Sequence, residues 1–598
     1  MRVPSPRDPL AGQRSATASP GRSEGRGAWG ALGALHVPIS RGRRLVEALA
    51  AAAPRYAPDD QQRKRALLTE LEGCAIRHAG TLLRLHEALC FLQAYPDDAK
   101  TLELVDRALE TFAARVEGLG HVARRRLHDS GVTNTTLDYP FGFPMARWLA
   151  ARFPRQSDVA WSAFTDEDRL DETLSLLATT AEGDAFSEGG MGWRQWLQVA
   201  KGDRRLTDLQ LLLEVFERAR LPEETRDWLF ESVGLPILWR PRGAGGSRTL
   251  ARISPDRPFF HDEGLERGRV DLVEVLRQPL RLTRASRPLA EAMIDAARVA
   301  MATRQRELHA FSYPNADDVL IGDAGRGLRL VFIGIQPDFR LPLEGYYGFL
   351  VLKNGVPVSY GGGWELFGTL DFAVNIFASF RQGESAYLAT QLLRAYRSIF
   401  GMRTIVIDRY QLGHESTEAL RSGSFYFYHR LGFRPRDPEV VRTLGQERAK
   451  IAADSSYRSP IPTLKRLAAA EVFLTLPGGH AAPEGRLRAT DVSALVARYV
   501  ARAFGGDRAR ATRDSAERVA RALGASGRAA WPAAERRAFE RMSLVAALIP
   551  DLAAWSPADR RALLAVMRAK GSGSEMDYAR RLDAHRSLRQ ILGTLAHP

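Results

Sequence analysis

The spacing of apolar side chains divides the chain into helical stretches on either side of a strand-rich centre. From about residue 41 to 290, segments such as "LTDLQLLLEVFERAR" place apolar residues three and four positions apart, which is the period of an amphipathic helix. After about residue 479 the same period returns, together with many arginines. The pattern therefore predicts helical regions at 41–290 and 479–598.

The pattern of the centre is that of strands. "GLRLVFIGI" and "YYGFLVLK" are predicted strands, and the second leads into Asn354-Gly355, a pair suited to a type I′ hairpin turn. "LDFAVNIF" and "TIVIDRY" are further strands, and the amphipathic helix "ESAYLATQLLRAYRSIF" lies between them. A strand–helix–strand crossover makes these two strands parallel. "EVFLTL" is a last strand candidate, and we expect a mixed sheet within residues 291–478.

The first 40 residues have neither period. They are rich in Pro, Gly, Ser and Arg, a composition that cannot bury enough apolar surface to fold, so we expect disorder over residues 1–40. No apolar run reaches the ~18 residues of a membrane span. The fold class predicted is thus α+β and multidomain, with a mixed-sheet domain between two helical regions.

The stretch "SFYFYHRLGF" (residues 424–433) has aromatic side chains at four consecutive positions, Phe425 to Tyr428. Strand alternation is missing, so the stretch is not a half-buried strand. In a helix, four consecutive rings point in all directions around the axis. We therefore expect a helix that is covered on every side by protein or ligand.

The net charge of +15 and the pI near 10.0 suggest a polyanionic partner. However, the sequence has only seven lysines, and the 78 arginines run through most of the chain together with abundant alanine. Such a bias is typical of genome-wide coding preference. Charge alone is therefore a weak argument for nucleic acid, although a partner such as tRNA stays an alternative.

Cysteine chemistry does not offer a site. Cys74 and Cys90 both lie in a helical pattern, and neither a Cys-x-x-Cys pair nor a His-Glu-x-x-His arrangement occurs. We therefore expect no zinc site, no other metal and no disulfide framework. A reducing, cytoplasmic location is the default expectation.

Two short motifs lie at corresponding places in the strand-rich centre. The turn "ASFRQGES" joins a strand to a helix, and Arg381 and Ala386 match the ends of the pattern Gln/Arg-x-x-Gly-x-Gly/Ala. Tyr428 stands five residues before Phe433, the Phe of a terminal Leu-Gly-Phe. Together with the order of the elements, these motifs resemble the GCN5-related N-acetyltransferase superfamily. The resemblance covers under a third of the chain.

The resemblance implies an acyltransferase domain at 291–478 that uses acetyl-CoA or another acyl-CoA and a small-molecule or protein amine. Backbone groups near Ile376 and Ala378 would hold the pantetheine, and Tyr428 would protonate the leaving thiolate. Leu420, Phe427 and Leu431 would be core residues of the aromatic helix. The turn that would cradle the diphosphate consists of Arg381, Gln382, Gly383, Ser385 and Ala386.

One residue departs from the pattern of the superfamily. Glu384 occupies the position of the central glycine of the turn. A carboxylate stabilises a helix N-terminus, but it repels a diphosphate. Gly383, one position earlier, could supply the missing flexibility, and Ser385 could supply a hydroxyl group.

Several acidic residues are candidates for the general base. Glu365 is preferred because Gly361, Gly362 and Gly363 precede it and allow close backbone approach. Asp371 lies near the same strand, and His414 and Glu415 follow the next one. Each of these carboxylates could equally be a solvated surface charge, and Tyr428 could be one more core aromatic.

Three functions remain open from the sequence. The first is a coenzyme A-dependent N-acyltransferase. The second is a non-catalytic module of the same fold, whose helical regions bind a partner and in which Glu384 marks a lost cofactor site. The third is a transferase that takes an aminoacyl group from tRNA, which would suit the basic charge.

Overall fold

The computed structural model describes residues 40–187, 189–243, 245–255, 257–268, 270–477 and 486–597. The chain forms two compact units. The first unit consists of the described residues up to Leu265, together with Asp295–Ser312 and Asn354–Pro357. The second consists of Glu266–Ile294, Tyr313–Lys353 and the described residues from Val358 onward. The four-part division drawn from the sequence stays a prediction.

The first unit is mainly helical and also contains a small antiparallel sheet of order β1-β3-β2. The sequence analysis was wrong to expect helices alone here. Each strand has three residues, too few for an alternating pattern to show. The helices are α1 Arg41–Ala52, α2 Pro58–Glu72, α3 Ala79–Ala94, α4 Ala99–Glu110, α5 Phe112–Glu117, α6 His121–Arg125, α7 Phe143–Arg152, α8 Glu167–Leu177, α9 Thr180–Ser187, α10 Trp193–Lys201, α11 Asp208–Arg218 and α12 Glu223–Val233; the strands are β1 Leu137–Tyr139, β2 Ser157–Val159 and β3 Ile237–Trp239.

The second unit is built on a nine-stranded mixed sheet of order β11-β12-β10-β9-β8-β7-β6-β5-β4. Its strands are β4 Leu282–Arg284, β5 Pro314–Asp323, β6 Leu328–Ile335, β7 Gly345–Lys353, β8 Val356–Leu366, β9 Thr369–Ile376, β10 Thr404–Ile407, β11 Arg434–Pro435 and β12 Val472–Thr475. The helices of this stretch of chain are α13 Leu272–Arg277, α14 Arg287–Ala302, α15 His309–Ser312, α16 Ser385–Phe400, α17 Arg409–Leu412, α18 Thr417–Ser422, α19 Ser424–Arg430, α20 Pro438–Ala453 and α21 Ile461–Leu467.

Several predictions for the centre are confirmed. The hairpin turns at Asn354 and Gly355, whose φ angles of 47° and 80° are those of a type I′ turn. Helix α16 ends at Gly401 with φ 72°. Strands β9 and β10 are parallel, with Thr404 opposite Thr369 and Val406 opposite Asp371. The aromatic stretch is the short helix α19.

Two boundaries differ from the prediction. Strand β10 ends at Ile407 instead of including Tyr410, because Asp408 accepts a hydrogen bond from the Tyr410 amide (2.8 Å) and caps the next helix, α17. The sheet also begins earlier than expected. Strands β4 and β5, which the sequence did not identify, extend it to Leu282.

The C-terminal helices belong to the same unit as the sheet. Leu366, the last residue of β8, and Phe367, in the turn that follows, are part of their apolar core, together with Phe539, Val566 and Leu582. These helices are α22 Ala489–Phe504, α23 Arg508–Leu523, α24 Ala533–Ala546, α25 Pro557–Ala569, α26 Glu575–Ala584 and α27 Arg586–Ala596. In the described part of the chain, no helix is both long and apolar enough to cross a membrane.

Candidate functional site

The edge of strand β9 that faces β10 is paired over only part of its length. Its ladder with β10 ends at the pair Asp371–Val406, whereas its ladder with β8 continues to Ile376. The Phe377 amide donates to the Val358 carbonyl (3.0 Å), and in an antiparallel ladder the bonding direction alternates. The backbone groups of Val374 and Ile376 therefore face the side that β10 has left. We call these two residues the open edge of β9.

Tyr428 meets this open edge. Its side chain is 2% exposed, and its hydroxyl lies near the backbone of Val374. Burial raises the pKa of Tyr428 well above its usual value, and the nearby Val374 backbone opposes that rise. An opposing effect of this sign comes from a backbone N–H near the phenol oxygen. The phenol therefore stays protonated at neutral pH.

Helix α19 holds Tyr428 through its aromatic neighbours. The Tyr428 ring packs edge-on against Phe427 and Phe433, with centroids 5.2 and 5.7 Å apart. Leu420 and Leu431 are buried, as expected. Phe427 is only half-buried, and Phe425 takes the buried position instead. The expectation that Phe427 is a core residue was wrong, because in a seven-residue helix the face that holds Phe425 and Tyr428 packs inward.

Arg381 spans the end of the open edge. Its Nε donates to the Ile376 carbonyl (3.1 Å), and its Nη2 pairs with Glu418. The Arg381 amide donates to the carbonyl of Ala378 (3.4 Å). Ile376, Ala378 and Arg381, which the sequence grouped at the cofactor, are thus brought together. The Ile376 carbonyl is the acceptor that a bound ligand would share with Arg381.

Hydrogen bonds hold the rest of the turn in place. The Gly383 amide donates to Phe380 (2.9 Å), the Ser385 hydroxyl donates to the Arg381 carbonyl (3.1 Å), and the Gln382 carbonyl accepts from Arg267. Ser385 and Ala386 begin helix α16, whose first amides have no acceptor within the helix. Together with the helix dipole, these amides favour an anion at this turn.

Glu384 is an internal residue of the fold. Its side chain is 2% exposed, and both oxygens are engaged: Oε2 accepts from Lys353 Nζ (2.6 Å), and Oε1 accepts from Arg326 Nη2 (2.6 Å) and the Glu266 amide (2.8 Å). Burial lowers the pKa of Lys353 to about 8, and the nearby Glu384 limits the decrease. The Glu384 carboxylate is therefore neutralised by two cations. Sequence spacing gave no sign of these partners, which lie 58 and 31 positions away.

Glu365 lies at the other end of β9. It is fully buried, its Oε1 accepts from the Gly368 amide, and its Oε2 has no hydrogen-bond partner among the described residues. Burial raises the pKa of Glu365 to about 8. Its register partner is Leu370, four residues from Val374, which is roughly 13 Å along a strand. The structure thus does not bring Glu365 to Tyr428.

The glycine run before Glu365 has a different use from the expected one. A Cβ at Gly362 would lie 2.7 Å from the Tyr346 ring, and one at Gly363 would lie 2.6 Å from the Tyr396 ring. These glycines therefore admit core aromatic rings close to the strand. Glu365 was chosen because the glycines before it allow a close approach to the strand. In the structure, it is core side chains that make this approach.

The other candidate bases are held by neighbours. Asp371 forms a bidentate ion pair with Arg486 (2.8 and 2.9 Å). His414 and Glu415 lie on an exposed loop after β10, with Nε2 and Oε1 4.0 Å apart. The acidic candidates do not converge on the open edge of β9 as a group.

Among the described residues, the group of potential metal ligands and the two cysteines lie in the first unit. His128, Asp129 and Asp138 form a group whose ligand atoms lie within 4.8 Å of one another, and each imidazole nitrogen is 3.1 Å from one carboxylate. This half-exposed group is an ion-paired cluster. Cys90 is buried beside His86, and burial raises the pKa of its thiol to about 11, which makes it a poor nucleophile.

Searches of protein-family models, of curated proteins and of solved structures each found no match to this chain. We therefore describe the protein by its geometry alone. It is a mixed α/β protein whose large sheet contains a parallel pair of strands, and one strand of this pair extends beyond the other.

Proposed function

We propose that the second unit is an N-acyltransferase that takes an acyl group from a coenzyme A thioester and transfers it to an amine. The observation that carries the proposal is the contact of Tyr428 with Val374 at the open edge of β9. A proton donor and a strand edge without a partner strand meet there, beside a helix N-terminus that favours an anion.

The turn and the edge divide the binding between them. The first amides of α16 and the guanidinium of Arg381 would hold the diphosphate, while the backbone of Val374 and Ile376 would hold the pantetheine arm. Glu384 supports this assignment, because its charge is matched by Lys353 and Arg326 and is not directed as an unpaired charge at the turn.

The bound co-substrate would supply an activated acyl group as a thioester. The amine nitrogen bonds to the thioester carbon, the carbon–sulfur bond breaks, the nitrogen loses a proton and the sulfur gains one. Tyr428 acts as the hydrogen-bond donor to the departing sulfur, which is the work of a general acid. Its raised pKa keeps the phenol in the donating form at neutral pH.

The test is direct binding. Titration calorimetry of the full chain with acetyl-CoA should show saturable binding. When amines from a panel are then added, free thiol should be released, and this release should depend on Tyr428. Lack of acetyl-CoA binding would favour the non-catalytic module. If the protein instead shifts the gel mobility of aminoacyl-tRNA in a salt-dependent way, the aminoacyl transferase is favoured.

A further inference from the structure

Helix α19, which carries Tyr428, is too short to fix its own orientation. It has seven residues, and Gly423 at its N-cap provides no side-chain cap. Isolated helices shorter than ~12 residues are marginal in water, so contacts with neighbours determine how α19 lies. On its inner side, Tyr428 lies near the backbone of Val374. The contacts on its opposite side therefore help to decide where the Tyr428 hydroxyl lies.

Tyr426 occupies that opposite side. It stands two positions before Tyr428, and two helical steps turn a side chain through ~200° about the axis. The Tyr426 hydroxyl lies 2.7 Å from Ser459 Oγ, and Ser459 donates to Oε2 of Glu447 (2.6 Å). Two consecutive hydrogen bonds thus connect α19 to Glu447 on α20. We call Tyr426, Ser459 and Glu447 the α19 anchor.

The direction of these hydrogen bonds is fixed by the charge of Glu447. Burial acts to raise the pKa of Glu447, but hydrogen bonds from Lys450, Ser459 and Tyr457 lower it below its usual value. An ionised carboxylate accepts hydrogen bonds and donates none, so the single hydroxyl proton of Ser459 is used on Glu447. Ser459 Oγ therefore accepts from Tyr426.

Glu447 is a firmly held end point for the α19 anchor. Its side chain is 2% exposed, Oε1 accepts from Lys450 Nζ (2.8 Å), and Oε2 also accepts from the Tyr457 hydroxyl (2.9 Å). Helix α20 has 16 residues and is capped by Asp437, which accepts from two amides (3.0 Å each). A long, capped helix thus holds a short one that has no side-chain cap.

We propose that Glu447 is a positioning residue for Tyr428. Through Ser459 and Tyr426 it fixes the rotation of α19 about its axis. That rotation decides where the Tyr428 hydroxyl lies beside Val374. The positioning itself does not depend on the proposed function, whereas its effect on turnover rests on the proposed acyltransferase reaction.

The first experiment is a double-mutant cycle of urea unfolding with Tyr426→Phe and Tyr428→Phe. The two hydroxyls have different partners, so without a link through α19 their effects should add. If the α19 anchor positions Tyr428, the fall in urea midpoint caused by Tyr428→Phe should shrink to about half or less in the Tyr426→Phe background. The reason is that a rotated α19 has already moved the buried hydroxyl away from Val374.

The matched control is Tyr457→Phe. It removes a hydroxyl that donates to the same oxygen of Glu447 but lies outside the link to α19. In the Tyr457→Phe background, the midpoint shift caused by Tyr428→Phe should therefore keep its full size. Both control and test variants keep their rings, so each is expected to fold.

The second experiment measures turnover with acetyl-CoA and an amine that the wild type acylates. In Tyr426→Phe and in Ser459→Ala, kcat should fall by about tenfold or more, because a small misplacement of a reacting group is costly. KM for acetyl-CoA should stay unchanged, since the contacts that bind it are intact. Ser459→Thr, which keeps the hydroxyl, and the control Tyr457→Phe should both have turnover near that of the wild type.

The outcomes separate the two proposals. Equal midpoint shifts for Tyr428→Phe in all three backgrounds overturn the positioning, whatever the activity. Turnover that falls as much in Tyr457→Phe as in Tyr426→Phe also overturns it, because Glu447 then holds only its own loop. If the wild type acylates no amine, the proposed reaction fails, and the unfolding cycle still decides whether Glu447 positions Tyr428.

Discussion

The two ends of strand β9 show how one strand serves both the fold and a site. At its first residues, β9 is paired on both sides, with β8 and β10, and the preceding turn carries Leu366 and Phe367 into the core of the C-terminal helices. At its last residues, β9 is paired with β8 alone, and Tyr428 and Arg381 approach its other edge.

The difference lies in what satisfies the backbone. At the closed end, the neighbouring strands supply the hydrogen-bond partners of the β9 backbone. Arg403 also forms an ion pair with Asp583 (2.6 Å). At the open end, a side chain bonds to Ile376 and another lies near Val374, and a ligand can replace a side chain more easily than it can replace a strand. A buried carboxyl at the closed end thus affects stability, and the open end is where we propose binding.

The largest expected effect concerns the open end. In Tyr428→Phe, turnover should fall by roughly 10² to 10⁴, the usual contribution of a positioned proton donor. Because the buried hydroxyl lies near the Val374 backbone, stability should also fall, by about 1–3 kcal/mol. Steady-state kinetics and urea unfolding measure the two quantities. The control, Phe427→Leu, changes a half-buried ring and should leave turnover near that of the wild type; full turnover in Tyr428→Phe would make Tyr428 a core residue only.

Glu384→Gly should destabilise the protein by about 3–5 kcal/mol, because it leaves the buried Lys353 without its carboxylate. This expectation replaces the simpler one from sequence, in which a glycine here only relieves repulsion of the diphosphate. Urea unfolding gives the measurement. The double variant Lys353→Met/Glu384→Gly removes both charges and should recover much of the loss, as a double-mutant cycle with the single variant Lys353→Met would reveal. A single variant as stable as the wild type would contradict the buried pair.

At the closed end, Glu365→Gln tests pH dependence. Folding raises the pKa of Glu365 from 4.5 to about 8, so between these values the folded state holds a proton that the unfolded state has lost. This group therefore contributes stability that decreases as pH rises from 5 to 8. Relative to the wild type, the glutamine variant should gain about 2–4 kcal/mol over that interval. Parallel stability curves for the two proteins in this interval would mean that Glu365 is ionised when folded.

The smallest effect is expected for Glu418→Gln. The Arg381–Glu418 pair is exposed to solvent, so stability should change by less than about 0.5 kcal/mol. Freed from Glu418, Arg381 should attract the diphosphate better and raise coenzyme A affinity by about two- to fivefold. Calorimetry with pantetheine, which lacks the diphosphate, is the control and should show no gain. A gain for pantetheine as well would assign the effect to the open edge instead of the turn.

Local patterns gave much of the central fold. The Asn354-Gly355 turn, helix α16 with its terminal Gly401 and the parallel pair of β9 and β10 all follow from turn chemistry, periodicity and crossover geometry. Short strands such as β1 to β3 escaped, because three residues do not define a period. The motif positions also identified Arg381 and Tyr428, which both lie at the open edge of β9, near Ile376 and Val374 respectively.

Sequence by itself thus determined many elements of the centre, their order and the two motif residues, since these depend on neighbours a few positions apart. Tertiary structure alone decided which charges meet. Glu384 reads as an obstacle to an anion until Lys353 and Arg326 neutralise it, and Glu365 reads as a base beside Tyr428 until the strand register places it at the other end of β9. The reason is physical: the state of a charge depends on the groups around it in space, and these come from distant parts of the chain.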